Sequence, residues 1–275
     1  MAATINLTPA APSRLSGLGN LFWKEMRDWW ATRRWWMTSL VWLAIINGIL
    51  ALILFIAPDP SEAAAAARAA AGAPAQPARD EMAVQVFFQL AGYALAIGVV
   101  VLAQDELIGE RRAGTAAWIL SKPVSRSAFI LAKLLGNLPG IVGLMVLFQA
   151  AVAYLLISVQ RGSPLPALPF LAGLGPLTLS LLFYLTLTLM LGALFNGRGA
   201  VVGLPLILLL LPDLFLMLAP WLNAVMPWPL AEIGMALALQ QPLPVGATLA
   251  PILATGAWCV VFVAVAIWRF QREEL

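Results

Sequence analysis

Ionisable side chains concentrate in one interval of this chain, residues 104–133. The interval contains the basic residues Arg111, Arg112, Lys122, Arg126 and Lys133 and the acids Asp105, Glu106 and Glu110. Very apolar segments flank it on both sides, so it must lie at a membrane surface and face something polar. Charges of both signs at such a surface are suited to ionic contacts with another protein or with lipid headgroups.

The residue types that perform most protein chemistry are scarce. The chain has no histidine and a single cysteine, Cys259. Acid–base schemes that need histidine are excluded, and a zinc or haem site is not expected because both take Cys or His ligands. No GxxxxGK[ST] run occurs, so a phosphate-binding loop for nucleotide is absent from the sequence. We expect no catalytic residue, no metal and no directly bound cofactor.

Asp213 is the ionisable residue that lies well inside a predicted membrane span. A carboxylate there is costly, which favours a functional residue on a transport pathway or a contact with the neighbouring apolar segment. In the alternative interpretation, Pro212 breaks the helix and Asp213 caps the next segment at a watery surface. The sequence leaves both interpretations open.

The composition predicts an all-α integral membrane protein. Hydrophobic residues make up 62% of the 275 residues, charged residues 11%, and the mean hydropathy is +0.91. Soluble domains contain about 25% charged residues. One membrane domain over residues 1–275 is expected. Apolar runs long enough to cross a bilayer predict six spans, at about 38–57, 83–103, 134–157, 168–195, 199–220 and 250–268.

The distribution of basic residues orients these spans. Six spans place both termini on one side of the membrane, and that side holds 13 of the 16 Lys and Arg residues. The other three are Arg68, Arg79 and Arg161. By the positive-inside rule, both termini and the interval 104–133 are cytoplasmic.

Two segments outside the spans have their own character. Residues 1–19 are small and polar and are expected to be flexible, whereas residues 20–37 mix basic side chains with five tryptophans. That mixture predicts an amphipathic helix in the membrane interface, with tryptophans at headgroup depth.

Residues 221–249 contain four prolines and predict an apolar hairpin on the outer side before span six, with a short helix over 230–240. Protein must cover such backbone at membrane depth.

Within the charged interval, the residue order predicts a short rigid helix. Gly114 lets the chain turn after span two at low steric cost. Residues 115–121 are long enough for about two helical turns, with Trp118 as the largest apolar side chain, and Pro123 ends the helix. Ser125 or Ser127 can cap the helix that continues into span three.

The run GERRAGTAAWILSKPVSRSAFILAK resembles the permease subunits of ATP-binding-cassette (ABC) exporters of the second class. The matching residues are Glu110, Arg111, Gly114, Thr115, Leu120, Pro123, Val124, Ser125, Arg126 and Lys133. Arg112 departs from the pattern, which has an acid there, and this puts a local ion pair in doubt. The resemblance implies that the short helix is a coupling helix seated in a groove of an ATPase subunit. It assigns the coupling role to Glu110, Arg111, Gly114, Thr115, Trp118, Pro123 and Arg126.

The resemblance also implies what surrounds the chain. It implies a non-catalytic permease that exports a substrate, while ATP and Mg²⁺ bind a separate cytoplasmic ABC ATPase subunit. A second permease copy or a paralogue completes a homodimer or heterodimer in the plasma (inner) membrane of a prokaryote. The partners are then these subunits and the lipid bilayer, with no nucleic acid.

Two alternative functions remain open. An ion-coupled secondary transporter usually has several buried ionisable groups and repeated halves, whereas here Asp213 stands alone and no repeat is visible. A non-transporting scaffold or immunity factor would need only a plain loop in place of the coupling helix. A neighbouring gene for a lone ABC ATPase would favour the exporter.

Overall fold

The computed structural model describes residues 15–57, 79–243 and 249–272, and all regular structure in those ranges is helical. The helices are α1 Leu18–Trp30, α2 Arg34–Ile56, α3 Arg79–Ala103, α4 Asp105–Arg112, α5 Thr115–Leu120, α6 Arg126–Arg161, α7 Ala167–Leu194, α8 Arg198–Leu210, α9 Pro212–Leu218, α10 Leu230–Ala238 and α11 Ala250–Gln271. Within the described part, five helices are long and apolar enough to cross a membrane, or six if the bent pair α8–α9 is one span. The all-α membrane class is therefore confirmed.

Helix α7 forms the centre of the bundle. It is apolar on all sides and largely buried, because α3, α10 and α11 pack around it. Aromatic rings fill the contact between α3 and α7, where the ring centroid of Phe170 lies 6.0 Å from that of Phe88 and 5.9 Å from that of Phe87. The other long helices surround this core.

Helix α6 starts earlier than the apolar run at residue 134 suggested. The Ser125 hydroxyl accepts a hydrogen bond from the Ala128 N–H at 3.1 Å, so the helix begins at Arg126. Pro139 lies inside α6, and the backbone changes to π-helical geometry over Gly140–Leu147 immediately after it. An irregularity at this point has a physical cause, since proline has no N–H for the regular hydrogen-bond ladder of the helix.

A neutral polar pair joins α2 to α6. Helix α2 contains two π-helical segments, Leu43–Asn47 and Leu52–Ile56. The buried Asn47 amide donates to Oε1 of the fully buried Gln149 at 2.9 Å. Gln149 Nε2 in turn donates to the carbonyl oxygen of Ser39 at 3.2 Å. The pair therefore links two irregular helices through side-chain and backbone groups.

The single interfacial helix expected over 20–37 is wrong in its extent. Helix α1 ends at Trp30, and residues 34–37 already belong to α2. Thr32 forms the turn, because its hydroxyl donates to the Asp28 carbonyl at 2.6 Å and accepts from the Arg34 N–H at 3.2 Å. Leu18 and Gly19, expected to be flexible, form the start of α1, and residues 1–14 lie outside the described residues.

The predicted fifth span, 199–220, is broken. Helices α8 and α9 meet at an angle of 71° at Leu211. Pro212 has no N–H to donate to the Leu208 carbonyl, and the Trp228 indole N–H donates to that oxygen instead at 2.8 Å. Asp213 is exposed in the first turn of α9, where a carboxylate interacts favourably with the helix dipole. Among the described residues, no hydrogen bond or ion pair joins Asp213 to the hairpin.

The segment before α11 includes the predicted short helix. Helix α10 packs against α7 and α3, so protein covers it as the sequence required. The contact with α7 is very close: a Cβ atom at Gly173 would overlap the carbonyl oxygen of Gly234, and one at Gly234 would meet the carbonyl oxygen of Gly173. Residues 244–248 lie outside the described residues.

Candidate functional site

The candidate site is the surface around α5, the short helix between α4 and α6. Gly114 has a φ of +68°, a value that L side chains rarely adopt, so the chain can turn sharply between α4 and α5. The Ser121 hydroxyl donates to the Trp118 carbonyl at 2.7 Å after the last turn of α5. The short helix predicted between Gly114 and Pro123 is therefore present.

Trp118 is the most prominent side chain on this surface. It is 62% exposed. The helix to which it belongs is fixed at its start by the turn at Gly114 and at its end by the Ser121 hydrogen bond. Lys122 Nζ lies 3.5 Å from the centroid of the Trp118 ring, within the range of a cation–π contact. An exposed tryptophan held in one orientation is suited to enter a pocket of a partner protein.

The segment before α1 covers the loop that follows α5. The Ser16 hydroxyl donates to the Pro123 carbonyl at 2.7 Å, and the Ser16 carbonyl accepts from the Ser125 N–H at 3.0 Å. A Cβ atom at Gly17 would overlap the Val124 side chain. These contacts were missed, since the residues before position 20 were expected to be flexible.

Arg126 binds the end of the chain's last helix. Its guanidinium donates to the carbonyl oxygens of Gln271 at 2.7 Å and Phe270 at 3.3 Å, which lie at the C-terminus of α11. The rings of Phe129 and Phe270 stack with centroids 5.1 Å apart. Arg126 therefore positions α6 against α11 within this chain, so any part it plays in coupling acts through that contact.

Beneath this surface, Lys133 is the centre of a buried group of charges. Lys133 is 1% exposed, although it belongs to the long apolar helix α6. Its Nζ lies 3.4 Å from Oε1 of Glu25, 3.3 Å from Oε2 of Glu106 and 3.2 Å from Oε1 of Glu110. A buried ammonium is tolerated because three carboxylates from two other helices surround it.

Two further cations complete the group, which we call the ionic cluster (Lys24, Glu25, Arg34, Glu106, Glu110 and Lys133). Lys24 Nζ lies 2.7 Å from Oε1 of Glu110, and Arg34 Nη2 lies 3.0 Å from Oε1 of Glu106. Burial alone would lower the pKa of Lys24, but the hydrogen bonds and charges of Glu110 and Glu25 raise that pKa well above its ordinary value. The cluster carries three charges of each sign and ties α1, α2, α4 and α6 together.

Helix α1 packs closely on α6 next to this cluster. Glu25 lies over Gly136 and Trp29 over Gly140, where any Cβ atom would overlap those side chains. The Trp29 indole N–H donates to Oδ1 of Asn137 at 3.1 Å, and Trp29 is 1% exposed. Trp29 therefore faces protein and not lipid, and its depth in the membrane stays a prediction. Four other tryptophans remain at least 40% exposed: Trp23, Trp30, Trp35 and Trp36.

A polar groove opens between α1 and α4. Its volume is about 500 Å³, and Thr115 at the start of α5 forms part of its wall. Five acids line the groove, Glu25, Asp28, Asp105, Glu106 and Glu110, against two basic residues, Arg34 and Lys133. Four of these acids already have cationic partners, since the ionic cluster pairs Glu25, Glu106 and Glu110, and Arg198 pairs with Asp105. Asp28 is the acid of this wall that has no ion pair among the described residues.

The structure brings together most of the predicted coupling residues. Gly114, Thr115, Trp118 and Pro123 form the turn and the short helix, and Glu110 lies directly below in the ionic cluster. The side chain of Arg111 lies outside the described part. Arg112, the residue that departs from the family pattern, donates to the Asn196 carbonyl at 3.2 Å.

The ionic cluster itself was not anticipated. Lys133 was noted for its match to the pattern, and Lys24, Glu25 and Arg34 were assigned only to the interfacial helix. One signal was available, because Glu106 and Glu110 lie four residues apart and so share a face of α4. Two acids on one face next to a lysine at the start of an apolar run indicate a buried pair.

Comparison with known protein families gives one match. A family model described as ABC-2 family transporter protein covers residues 19–275, almost the whole chain. No curated protein sequence matches it.

Proposed function

This chain belongs to the ABC-2 family of transporter proteins, and we propose that it is the permease subunit of an exporter powered by a separate cytoplasmic ATPase. In this proposal α5 is the coupling helix, and it passes the movement of the ATPase to α3 and α6 through the elements that brace it. ATP and Mg²⁺ bind the ATPase subunit, and this chain performs no catalysis.

The observation that carries the proposal is the exposed Trp118 on a braced helix between two membrane-crossing helices. A rigid element transmits a displacement only if it is packed against what it moves. Here Ser16 holds the loop after α5, Arg126 binds the end of α11, and Glu110 joins Lys24 and Lys133. A push on α5 would therefore reach α1, α6 and α11 together.

The polar groove beside α5 is a second candidate contact with the ATPase. We assign it to a basic side chain of that subunit that approaches Asp28, the acid of its wall without an ion pair among the described residues. A second permease copy or a paralogue completes the transporter. The transporter lies in the plasma membrane of a prokaryote, with both termini of this chain in the cytoplasm. Asp213 remains a candidate residue of the transport pathway.

The coupling assignment predicts that Trp118→Ala weakens association with the ATPase. Truncating a tryptophan at the centre of an interface commonly costs about 2 kcal/mol, which is roughly a 30-fold loss of affinity. The measurement is co-purification with the cognate ATPase subunit, followed by titration of the two subunits. Folding should be unaffected, since Trp118 is 62% exposed.

Trp268→Ala is the matched control. Like Trp118, Trp268 is half-exposed and contacts a cation, because the Arg272 guanidinium lies 4.3 Å from the centroid of its ring. It belongs to α11 and not to the proposed coupling helix. Equal affinity of Trp118→Ala and the unaltered chain would refute the role of α5. Transport that needs no ATP but responds to a proton gradient would favour the ion-coupled alternative.

Orientation is tested by thiol labelling in intact cells, with Cys259→Ser as the background. A cysteine at exposed Ser163 should react with a membrane-impermeant reagent, and one at exposed Ser121 should react only after the cells are opened. The reverse pattern would overturn the cytoplasmic placement of α5.

A further inference from the structure

A small cavity lies between α3, α7, α8 and the segment that leads into α10. Its volume is about 50 Å³. Tyr93, Ser180 and Tyr184 line it from α3 and α7, and Leu209 and Trp228 close it from α8 and the hairpin segment. Ser180 and Tyr184 are four residues apart in α7 and so lie on the same face. The cavity is therefore lined by three hydroxyl-bearing side chains inside a largely apolar bundle.

The Tyr184 hydroxyl is the exceptional group in this wall. Tyr184 is 1% exposed, and its oxygen has no hydrogen-bond partner among the described residues. The buried threonine hydroxyls of α7 do have partners: Thr188 donates to the Tyr184 carbonyl at 2.7 Å, and Thr186 donates to the Leu182 carbonyl at 2.9 Å. A buried hydroxyl is normally paired, because leaving it unpaired costs stability. A partner for Tyr184 therefore belongs in the cavity.

The size of the cavity decides what that partner is. Pockets for drug-sized ligands measure about 300–1,000 Å³, far more than this cavity offers. One water molecule needs a cavity volume of roughly 10–15 Å³ and two to four hydrogen-bond partners. We infer that the cavity is a water-binding site for about three to five molecules, held by the hydroxyls of Ser180, Tyr184 and the half-exposed Tyr93.

The hairpin segment, which is the described part of residues 221–249, contacts the helix bundle in two different ways. At Gly173 and Gly234, backbone meets backbone with no room for solvent. At Trp228, the segment borders the water cavity, while its indole holds the Leu208 carbonyl at the break between α8 and α9. Water can exchange its hydrogen-bond partners as the wall moves, so the segment can pivot about the glycine contact. This inference goes beyond the proposed function and does not depend on it.

Radiolytic labelling with rapid mixing into H₂¹⁸O tests for the water directly, using the purified full-length chain in nanodiscs. Hydroxyl radicals form from water beside a side chain, so Tyr184 should be labelled despite its burial. Phe183 is the internal control, because it precedes Tyr184 and is equally buried at 1% exposure. Labelling of Tyr184 above Phe183 supports the water site, and equal absence of label from both overturns it.

The Tyr184→Phe variant gives an independent test through the sign of its effect. If water binds the hydroxyl, the variant should lower the unfolding temperature by about 2–4 °C, the loss expected for one hydrogen bond. An unchanged or higher unfolding temperature overturns the inference, because removing an unpaired buried hydroxyl relieves a cost. Tyr154→Phe calibrates the measurement, since the Tyr154 hydroxyl donates to the Leu165 carbonyl at 2.8 Å. Neither test requires the ATPase or a transported substrate.

Discussion

The ionic cluster around Lys133 and the cavity around Tyr184 both bury polar side chains in a strongly apolar chain. They differ in whether the protein itself supplies the ionic or hydrogen-bond partners of those side chains. Each of the six charged residues in the cluster pairs with an opposite charge on another helix. The Tyr184 hydroxyl has no such partner among the described residues. All six charges of the cluster are countered within the protein, although Oε2 of Glu110 has no hydrogen bond among the described residues, whereas the Tyr184 hydroxyl must find its partner in the cavity.

This difference indicates which parts can move. Separating the helices at the cluster would leave charges unpaired in a medium of low dielectric, and that is expensive. Displacing the hairpin segment at the cavity would rearrange water and strain the Trp228 hydrogen bond to the Leu208 carbonyl, but it would separate no pair of opposite charges. We therefore expect α1, α4 and the start of α6 to move as one unit, and the hairpin segment to shift relative to α7.

The largest expected effect is the loss of the central cation. Lys133→Met should destabilise the chain by about 3–5 kcal/mol, because Glu25, Glu106 and Glu110 would face one another without it. The measurement is unfolding of the purified protein in detergent. Lys122→Met is the control, since Lys122 contacts only the exposed ring of Trp118 among the described residues. If both variants lose the same stability, the cluster does not hold the helices together.

The second-largest effect is expected at the water-free contact between the hairpin segment and α7. Gly173→Ala should cost about 1–3 kcal/mol, since the added methyl group overlaps the Gly234 carbonyl and the helices must separate. Gly175→Ala lies two residues away in the same helix, where a Cβ atom meets nothing within 4 Å. That control should be neutral or slightly stabilising, because alanine favours a helix over glycine. A neutral result at Gly173 would mean that the hairpin segment is not anchored there.

The smallest effect concerns the break in the fifth span. Trp228→Phe should cost about 1 kcal/mol, because the Leu208 carbonyl loses the indole N–H. A double-mutant cycle with Pro212→Ala sharpens the test, since an alanine at that position would supply a backbone N–H to the same oxygen. In that background Trp228→Phe should cost clearly less. Additive effects of the two changes would show that the indole does not replace the bond that Pro212 removes.

Local sequence signals predicted the local structure well. Gly114 and Pro123 set the structure through their own backbone preferences, and Ser125 does so through a hydrogen bond to a residue three positions later. The turn, the short helix and the helix cap could therefore be predicted from the local sequence. Long apolar runs gave the membrane-crossing helices for the same reason. The end of the interfacial helix was misplaced, because Thr32 sets that boundary through hydrogen bonds and not through hydropathy.

The features that depend on distant contacts were not predictable in this way. Lys133 pairs with Glu25, which is 108 residues earlier in the chain. Trp29 looked like an interface tryptophan because its neighbours are of the same type, but Asn137 and Gly140 bury it. Nor does any local pattern reveal that the Tyr184 hydroxyl lacks a partner, because the cavity forms only where several helices and the hairpin segment meet.

The contact between Arg126 and α11 has a consequence for the order of events during biosynthesis. Its acceptors, the carbonyls of Phe270 and Gln271, lie 144 and 145 residues later, so the ribosome must translate past Gln271 before the contact can form. Ser16 and Pro123, by contrast, can meet while the later helices are still being made. The contact with α11 is therefore added to the support of α5 after the contact with Ser16. An ATPase subunit that recognises α5 only in its fully supported state would distinguish chains that include α11 from shorter ones.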